Sequence, residues 1–267
     1  MFLSALYRYP VKSGQAQSLS DSPVDLLGLQ GDRRWLVVEA GNGRFLTQRA
    51  WPQLSQLTAR YGAAGQLLLE GPGLAPLEVA VPAADDDLRG VTIWRDTLRV
   101  PDAGDAAAAW LSELLGKPVR LVYCPEQRAR YLPSGYGLNS DRAAFPDGFP
   151  LLLIGQGSLD ELNRRIGREM EMLRFRPNLV VIGAEAFAED GWKRIRIGQM
   201  TFRLLKPSVR CIFTTLDPRT GERSADREPL ATLKTFRERE GDVLFGQNLA
   251  ADGAGQISVG MKVEVLE

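Results

Sequence analysis

Apolar and polar residues alternate over short stretches through most of the chain, the period of a half-buried strand, with turn residues between them. Trp35 to Glu39 and Phe45 to Gln48 flank Gly41-Asn42-Gly43, where Asn-Gly supplies the positive φ angles of a hairpin. The same pattern pairs residues 66–70 with 77–81 across Gly71-Pro72-Gly73, and 91–94 with 97–100 across Arg95-Asp96. The first third therefore reads as an antiparallel meander. Met200, Phe202 and Leu204 alternate with Thr201, Arg203 and Leu205, and Pro207, which has no N–H to give, is expected to stop that ladder. Residues 119–124, 179–182 and 195–197 are further strands. Ile257, Val259, Met261, Val263 and Val265 alternate strictly and predict one closing barrel strand.

Helical spacing occurs in two places. Ala107, Trp110, Leu111 and Leu114 mark a helix over 105–115, with Gly116 as its stop. Ser158, with Glu161 three residues on, forms a capping-box signature for a helix to Ile166 whose Leu159, Leu162 and Ile166 face inward. Between them, residues 129–149 are rich in Gly, Pro, Asn, Asp and Ser and predict a long loop, read here as functional rather than disordered. The fold class is α+β, mainly β, with β-barrel-like halves over 1–120 and 121–267 that meet near residue 120. The strand at 119 begins the second half.

Composition narrows the chemistry. The chain of 267 residues has no histidine, which removes Ser-His-Asp and Cys-His pairs, imidazole zinc sites and the two-His-one-carboxylate iron site. Its 2 cysteines, Cys124 and Cys211, cannot supply the four thiolates of an iron–sulfur cluster or a structural zinc site, and they form no disulfide framework. Any cofactor must bring most of its own ligands. The apolar start, Met1 to Leu6, is far too short for a signal region or for a membrane span of about 20 residues, so a cytoplasmic protein is expected, with no membrane partner. With 33 basic and 33 acidic residues there is no general field for nucleic acid, and the clusters Arg164-Arg165-Arg168 and Lys193-Arg194-Arg196 read as solvated faces.

Cys211 is the strongest candidate for chemistry. It follows Arg210 directly and lies near Arg203 and Lys206, and neighbouring cations favour the thiolate that attacks electrophiles or binds soft metals. The alternative is a small buried hydrophobe beside a strand. Asp217-Pro218-Arg219-Thr220-Gly221 reads as a turn just beyond it, which favours a sulfur presented to a cleft. Cys124 has no basic residue within three positions and reads as structural. Lys12-Ser13-Gly14 offers a cation, a hydroxyl and a close-approach backbone suited to an oxyanion, or else a solvated loop. Arg33 and Arg34 open one strand, and Arg176 and Asn178 precede another. A guanidinium there can grip phosphate and an amide can read a heterocycle edge, with surface charge or capping as the alternative.

Taken in order, Tyr-Pro-Val-Lys-Ser (9–13), Gly-Asp-Arg-Arg-Trp (31–35), Phe-Arg-Pro-Asn (175–178), Arg-Cys-Ile-Phe-Thr-Thr-Leu-Asp-Pro-Arg-Thr-Gly (210–221), Glu-Pro-Leu-Ala-Thr-Leu-Lys (228–234) and Leu-Phe-Gly-Gln-Asn (244–248) resemble the MOSC-domain family. The similarity is greatest to the branch of the mitochondrial amidoxime reducing component, and it covers nearly the whole chain. It implies a MOSC N-terminal β-barrel region over 1–120 and a MOSC domain over 121–267. It also implies a molybdenum cofactor (Mo-molybdopterin) with Cys211 as protein ligand to the metal, and cofactor contacts from Lys12, Ser13, Arg33, Arg176, Asn178, Arg210 and Asn248. The implied reaction is reduction of N-hydroxylated substrates such as amidoximes, hydroxylamines and N-hydroxylated bases. Asp217 either serves the catalytic site, by orienting groups or relaying protons, or caps its turn.

The chain also departs from the family. Many relatives have a cysteine and a serine where Ser208 and Val209 stand, so a vicinal dithiol is unavailable, and Asn248 replaces a tyrosine found in some. Some bacterial relatives append a ferredoxin-like domain that the cysteines here cannot furnish. Electrons are therefore expected from a separate protein, a ferredoxin or b5-type haem protein with a flavoprotein reductase. Two other readings remain open, a sulfur-transfer protein with a persulfide on Cys211 and a non-catalytic cofactor carrier.

Overall fold

The computed structural model describes residues 1–267. Its elements used below are strands β1 (Phe2–Arg8), β2 (Trp35–Glu39), β3 (Leu88–Ile93) and β4 (Asp96–Pro101), then helix α1 (Asp105–Leu115) and β5 (Val119–Tyr123). They continue with β6 (Leu151–Gly155), α2 (Gln156–Ile166), β7 (Leu179–Ile182), β8 (Arg194–Ile197), β9 (Met200–Arg210), α3 (Leu230–Arg237), β10 (Asp242–Ala251) and β11 (Val263–Val265).

The main sheet runs from the short strand Gln17–Leu19 through β1, β7, β6, β10, β9 and β8 to β11. The sheet closes where β1 meets the chain leading into β11: Phe2 bridges Lys262, Leu3 N–H donates to the Met261 carbonyl at 2.9 Å, and Val263 N–H donates to the Met1 carbonyl at 3.0 Å. Closing a sheet on itself removes its unpaired edges and encloses one apolar interior. That interior includes Leu3, Leu6, Leu153, Phe202, Leu249 and Val263, all buried. A second apolar cluster, around Trp35, Leu54, Leu69 and Leu111, lies in the first half beneath α1. The α+β, mainly β, class is as the alternation predicts. Helix α1 also falls where its periodicity puts it, with Gly116 in the left-handed conformation at φ 66° that suits glycine as a stop.

Pairing does not follow chain order. β1 from the start pairs with β7 from the second half, and β5, expected to open the second half, pairs antiparallel with β2 of the first. Pro207 does not end its strand. β9 continues to Arg210 along β10, with irregularities between Leu204 and Lys206 and between Pro207 and Val209, and a bulge is where a strand tolerates proline. Residues 257–265 are not one strand. The short strand Gly255–Ser258 pairs with Asp21–Asp25, the chain turns at Gly260, and β11 pairs with β8. An even number of residues in the turn preserves the alternation and hides the break.

Smaller differences concern the start of α2 and the segment 129–149. Ser158 does not cap α2, which begins at Gln156. Its hydroxyl donates to buried Glu189 at 2.7 Å and accepts the Phe187 N–H at 2.7 Å, while Glu161 pairs with Arg164 and Arg165. The 129–149 segment is not all loop: Arg130–Tyr131 pairs with Arg142–Ala143, and Phe145 is fully buried. The β3–β4 hairpin turns at Trp94-Arg95, one residue earlier than expected, with Trp94 at φ 54°. Phe45 meets Val38 only as an isolated bridge.

Candidate functional site

The bulges in β9 re-aim its last residues at the end of the sheet, where the strand breaks and the short helical turn Ile212–Thr215 begins. Cys211 sits at that junction. Its carbonyl accepts the Thr214 N–H at 3.1 Å, fixing the backbone, while its side chain is exposed. It opens on a cleft of about 300 Å³ built from the turn after β1, Arg33 two residues before β2, Thr47 and Arg49, residues 146–152, residues 174–178 before β7, the end of β9 and Asn248 of β10.

The cleft is cationic. Lys12, Arg33, Arg49, Arg174, Arg176, Lys206 and Arg210 line it against the single carboxylate of Asp147. Lys12, Arg33 and Arg174 have carboxylate partners in Asp147 (2.5 Å), Asp32 (2.5 Å) and Asp217 (3.4 Å), and the other four have none. Arg210 donates from Nε to the Phe245 carbonyl at 2.7 Å and from Nη1 to the Phe175 carbonyl at 3.0 Å, which leaves Nη2 buried with no partner. Arg176 repeats the arrangement. Its Nη1 donates to the Gly14 carbonyl at 2.7 Å, its guanidinium lies 4.0 Å from the Tyr9 ring centroid, and its Nη2 is buried and unpartnered. An unsatisfied buried donor on a cation is costly unless an acceptor arrives. Burial accordingly lowers the pKa of both guanidinium groups from the ordinary arginine value, and it brings the Lys12 ammonium down to about 8 against the opposing pull of Asp147.

Close approach is built into this wall. Gly246 has φ 78°, and a Cβ there would meet the Leu153 carbonyl and Ile154 Cγ1 at 2.7 Å and Arg210 Nη2 at 3.4 Å. A side chain at 246 would clash with the Leu153 carbonyl and Ile154 of β6 and, at φ 78°, would also be strained.

Of the residues picked out in sequence, Lys12, Ser13, Arg33, Arg176, Asn178, Arg210, Cys211 and Asn248 all line the cleft. Their roles divide. Asn178 is fully buried with its amide committed: Oδ1 accepts from Leu152 N–H and Arg33 Nη1, both at 3.1 Å, and Nδ2 donates to the Tyr7 carbonyl at 3.1 Å. It braces Arg33 and β6 rather than offering a free edge to a heterocycle. Arg33 is similarly held by Asp32 and the Arg176 carbonyl. Asn248 Nδ2 donates to the Lys206 carbonyl at 3.2 Å. Asp217 stands outside the lining set. Its Oδ1 accepts the N–H groups of Arg219 at 2.9 Å and Thr220 at 3.0 Å, so it caps the turn.

Among the residues of the site that escaped sequence reasoning are Arg49, Trp94 and Asp147. Arg49 places Nη1 at 3.8 Å from Cys211 Sγ and its guanidinium 4.9 Å from the Trp94 ring centroid, and Trp94 Nε1–H donates to Asp147 at 3.1 Å. No local motif marks them, since each comes from a different loop. Cys124, by contrast, is fully buried, and burial pushes its thiol up to about 11. The predicted basic clusters on the surface are spent in ion pairs, Arg168 with Asp226 and Arg194 with Asp252 among them. No helix is long and apolar enough to cross a membrane.

An exposed thiol beside buried cations with orphaned donors suits a ligand that combines a soft metal with an anionic, phosphate-like group. A family model described as the MOSC N-terminal beta barrel domain matches residues 1–118, and one described as the MOSC domain matches residues 140–264. The chain is 32% identical over 279 residues to mitochondrial amidoxime-reducing component 1 of Danio rerio, covering 98% of this chain and 83% of that one. It is 33% identical to mitochondrial amidoxime reducing component 2 of Rattus norvegicus, over 97% of this chain and 81% of that one. A molybdenum cofactor sulfurase of Oryza sativa subsp. japonica is 32% identical over 91% of this chain, which corresponds to 32% of that longer protein.

Proposed function

The chain belongs to the MOSC-domain family, and from that membership together with the cleft we propose that it is a molybdenum-cofactor-dependent oxidoreductase that reduces N-hydroxylated compounds. The observation that carries the reading is the set of orphaned buried nitrogens, Arg174 Nε, Arg176 Nη2 and Arg210 Nη2, on arginines that line the same cavity as the exposed Cys211 thiol. Lys12, Ser13, Arg33, Arg176 and Arg210 would hold the anionic part of the cofactor, and Cys211 would give the metal one soft ligand. Bound there, the cofactor supplies two-electron redox chemistry that no side chain of this protein can.

The protein's share is binding and orientation. In the net reaction the N–O bond of an amidoxime, hydroxylamine or N-hydroxylated base breaks, two electrons and two protons are taken up, and the oxygen leaves as water. Arg210, tied to two backbone carbonyls, keeps Cys211 at the mouth by fixing the residue before it. Asn178 and Asp32 hold Arg33 in place, the bracing that lets a binding constellation keep its geometry. Electrons come in this reading from a separate ferredoxin or b5-type haem protein with its flavoprotein reductase. A cytoplasmic location is part of the proposal, because unpaired Cys124 and Cys211 suit a reducing compartment.

The test is turnover of benzamidoxime to benzamidine by protein from a cofactor-competent host, supplied with a reductase and carrier. Wild type should convert it, and Cys211→Ser should fall to background. Full activity in Cys211→Ser would remove the ligand assignment, and turnover on NADH alone would remove the separate donor. The same exposed thiol favours one alternative, a persulfide on Cys211 acting in sulfur transfer. That reading predicts labile sulfane sulfur and no stoichiometric molybdenum, whereas a carrier would hold the cofactor without turnover.

A further inference from the structure

The four cleft cations that have no carboxylate partner fall into two sets that are held differently. Arg176 and Arg210 are fastened by hydrogen bonds to main-chain carbonyls. Arg49 and Lys206 touch no carboxylate and donate to no carbonyl from their side chains. Each rests instead on an aromatic face, Arg49 on Trp94 at 4.9 Å and Lys206 on Tyr136 at 5.0 Å. The rings are themselves supported, Trp94 against Phe45 at 4.9 Å and Tyr136 against Phe149 at 5.7 Å. A ring face orients a cation without neutralising it, so its charge stays available to a ligand. Arg49 is also 3.8 Å from Cys211 Sγ and Lys206 lines the same cleft, so this second set flanks the space a substrate would enter.

We propose that Arg49 and Lys206, backed by Trp94 and Tyr136, form a specificity subsite that selects flat N-hydroxylated substrates carrying an anionic substituent over neutral ones. The inference rests on the reductase reading for what the substrate is, and on this geometry alone for its charge. An opposite charge brought near these half-buried groups gains more than it would in bulk water, and salt screens the gain because the mouth is open. The rings add stacking surface for a planar compound.

The experiment compares benzamidoxime with its 4-carboxylate by isothermal titration calorimetry into the protein purified from a cofactor-competent host, and in parallel by KM. The carboxylate should bind about tenfold more tightly at low salt, a difference of ~1.4 kcal/mol. The ratio of the two affinities should fall to about threefold in Arg49→Gln or Lys206→Gln, be restored in Arg49→Lys, and approach one at 1 M salt, where the screening length is about 3 Å. Because a ratio does not depend on the fraction of folded protein, a poorly folding variant still reports. Equal affinities in wild type, or a ratio untouched by both Gln variants, would overturn the proposal. A retained affinity difference with no turnover of either compound would sink the reductase reading and leave this one standing.

Discussion

The surroundings of the chain's two cysteines differ less in charge than in access to water. Cys124, just past β5, has Arg34 and Arg130 nearby, and Arg34 Nε donates to its carbonyl at 2.6 Å. Burial nevertheless wins: the thiol is pushed up to about 11 inside an apolar cluster with Leu36, Val122 and Phe145. Cys211, at the end of β9, also has arginines beside it, but its sulfur is exposed at the mouth of a cleft. Nearby cations make a reactive or metal-binding thiol only where the sulfur can be reached and the charged form is not desolvated.

Thiol labelling sets the two regions furthest apart. Iodoacetamide should modify Cys211 in the native cofactor-free protein within minutes and Cys124 only after unfolding, as read by peptide mass spectrometry. Equal labelling would break the comparison.

The next largest effect concerns the buried cations. Arg176→Ala and Arg210→Ala should each weaken affinity for the cofactor on the order of 10- to 100-fold, the worth of a charge-assisted hydrogen bond of about 1.5–3 kcal/mol, and so lower its occupancy. Occupancy is measured as pterin per chain. No loss in either variant would separate the orphaned nitrogens from cofactor binding.

Cys124→Ser should behave oppositely, costing roughly 1–3 kcal/mol of stability for a hydroxyl buried among apolar side chains while pterin content stays at the wild-type level. The urea midpoint checks the cost.

The smallest effect is one of pH. The Lys12 pKa is about 8 in the folded protein and 10.5 ordinarily. Only the ammonium attracts an anion, so affinity of the cofactor-free protein for pyrophosphate should fall about three- to tenfold from pH 7 to 9. Between about pH 8 and 10.5 the unfolded chain binds the extra proton, so this group's contribution to stability rises with pH across that window. Lys12→Met should flatten both trends.

What was legible in sequence was local. Helix α1 with its Gly116 stop, the hairpin that pairs Leu67–Glu70 with Leu77–Val79 and the β7 and β8 strands depend on periodicity and turn residues that a short window contains. The approach to Cys211 was legible for the same reason, because Arg210, Lys206 and the Asp217 turn are its neighbours along the chain. What was missed depends on partners far away. Pro207 is tolerated because β10 faces it across a bulge, Ser158 turns to Glu189 rather than to its own helix, and the 257–265 alternation spans two strands of different sheets. Arg49, Trp94 and Asp147 meet only because loops of the first half fold against the second. Asn178 was found, but its spent amide could not be foreseen, since Tyr7 and Leu152 are distant in sequence.

The central claim, that Cys211 and the orphaned guanidinium groups hold a molybdenum cofactor, is tested most directly by metal and pterin content. Molybdenum by mass spectrometry and pterin by fluorescence after oxidation would be measured on wild type, Cys211→Ala and Cys124→Ala from a cofactor-competent host. The account predicts close to one metal and one pterin per chain in wild type and in Cys124→Ala, with the metal lost in Cys211→Ala. Metal retained in Cys211→Ala, or neither species in wild type alongside sulfane sulfur on Cys211, would contradict it.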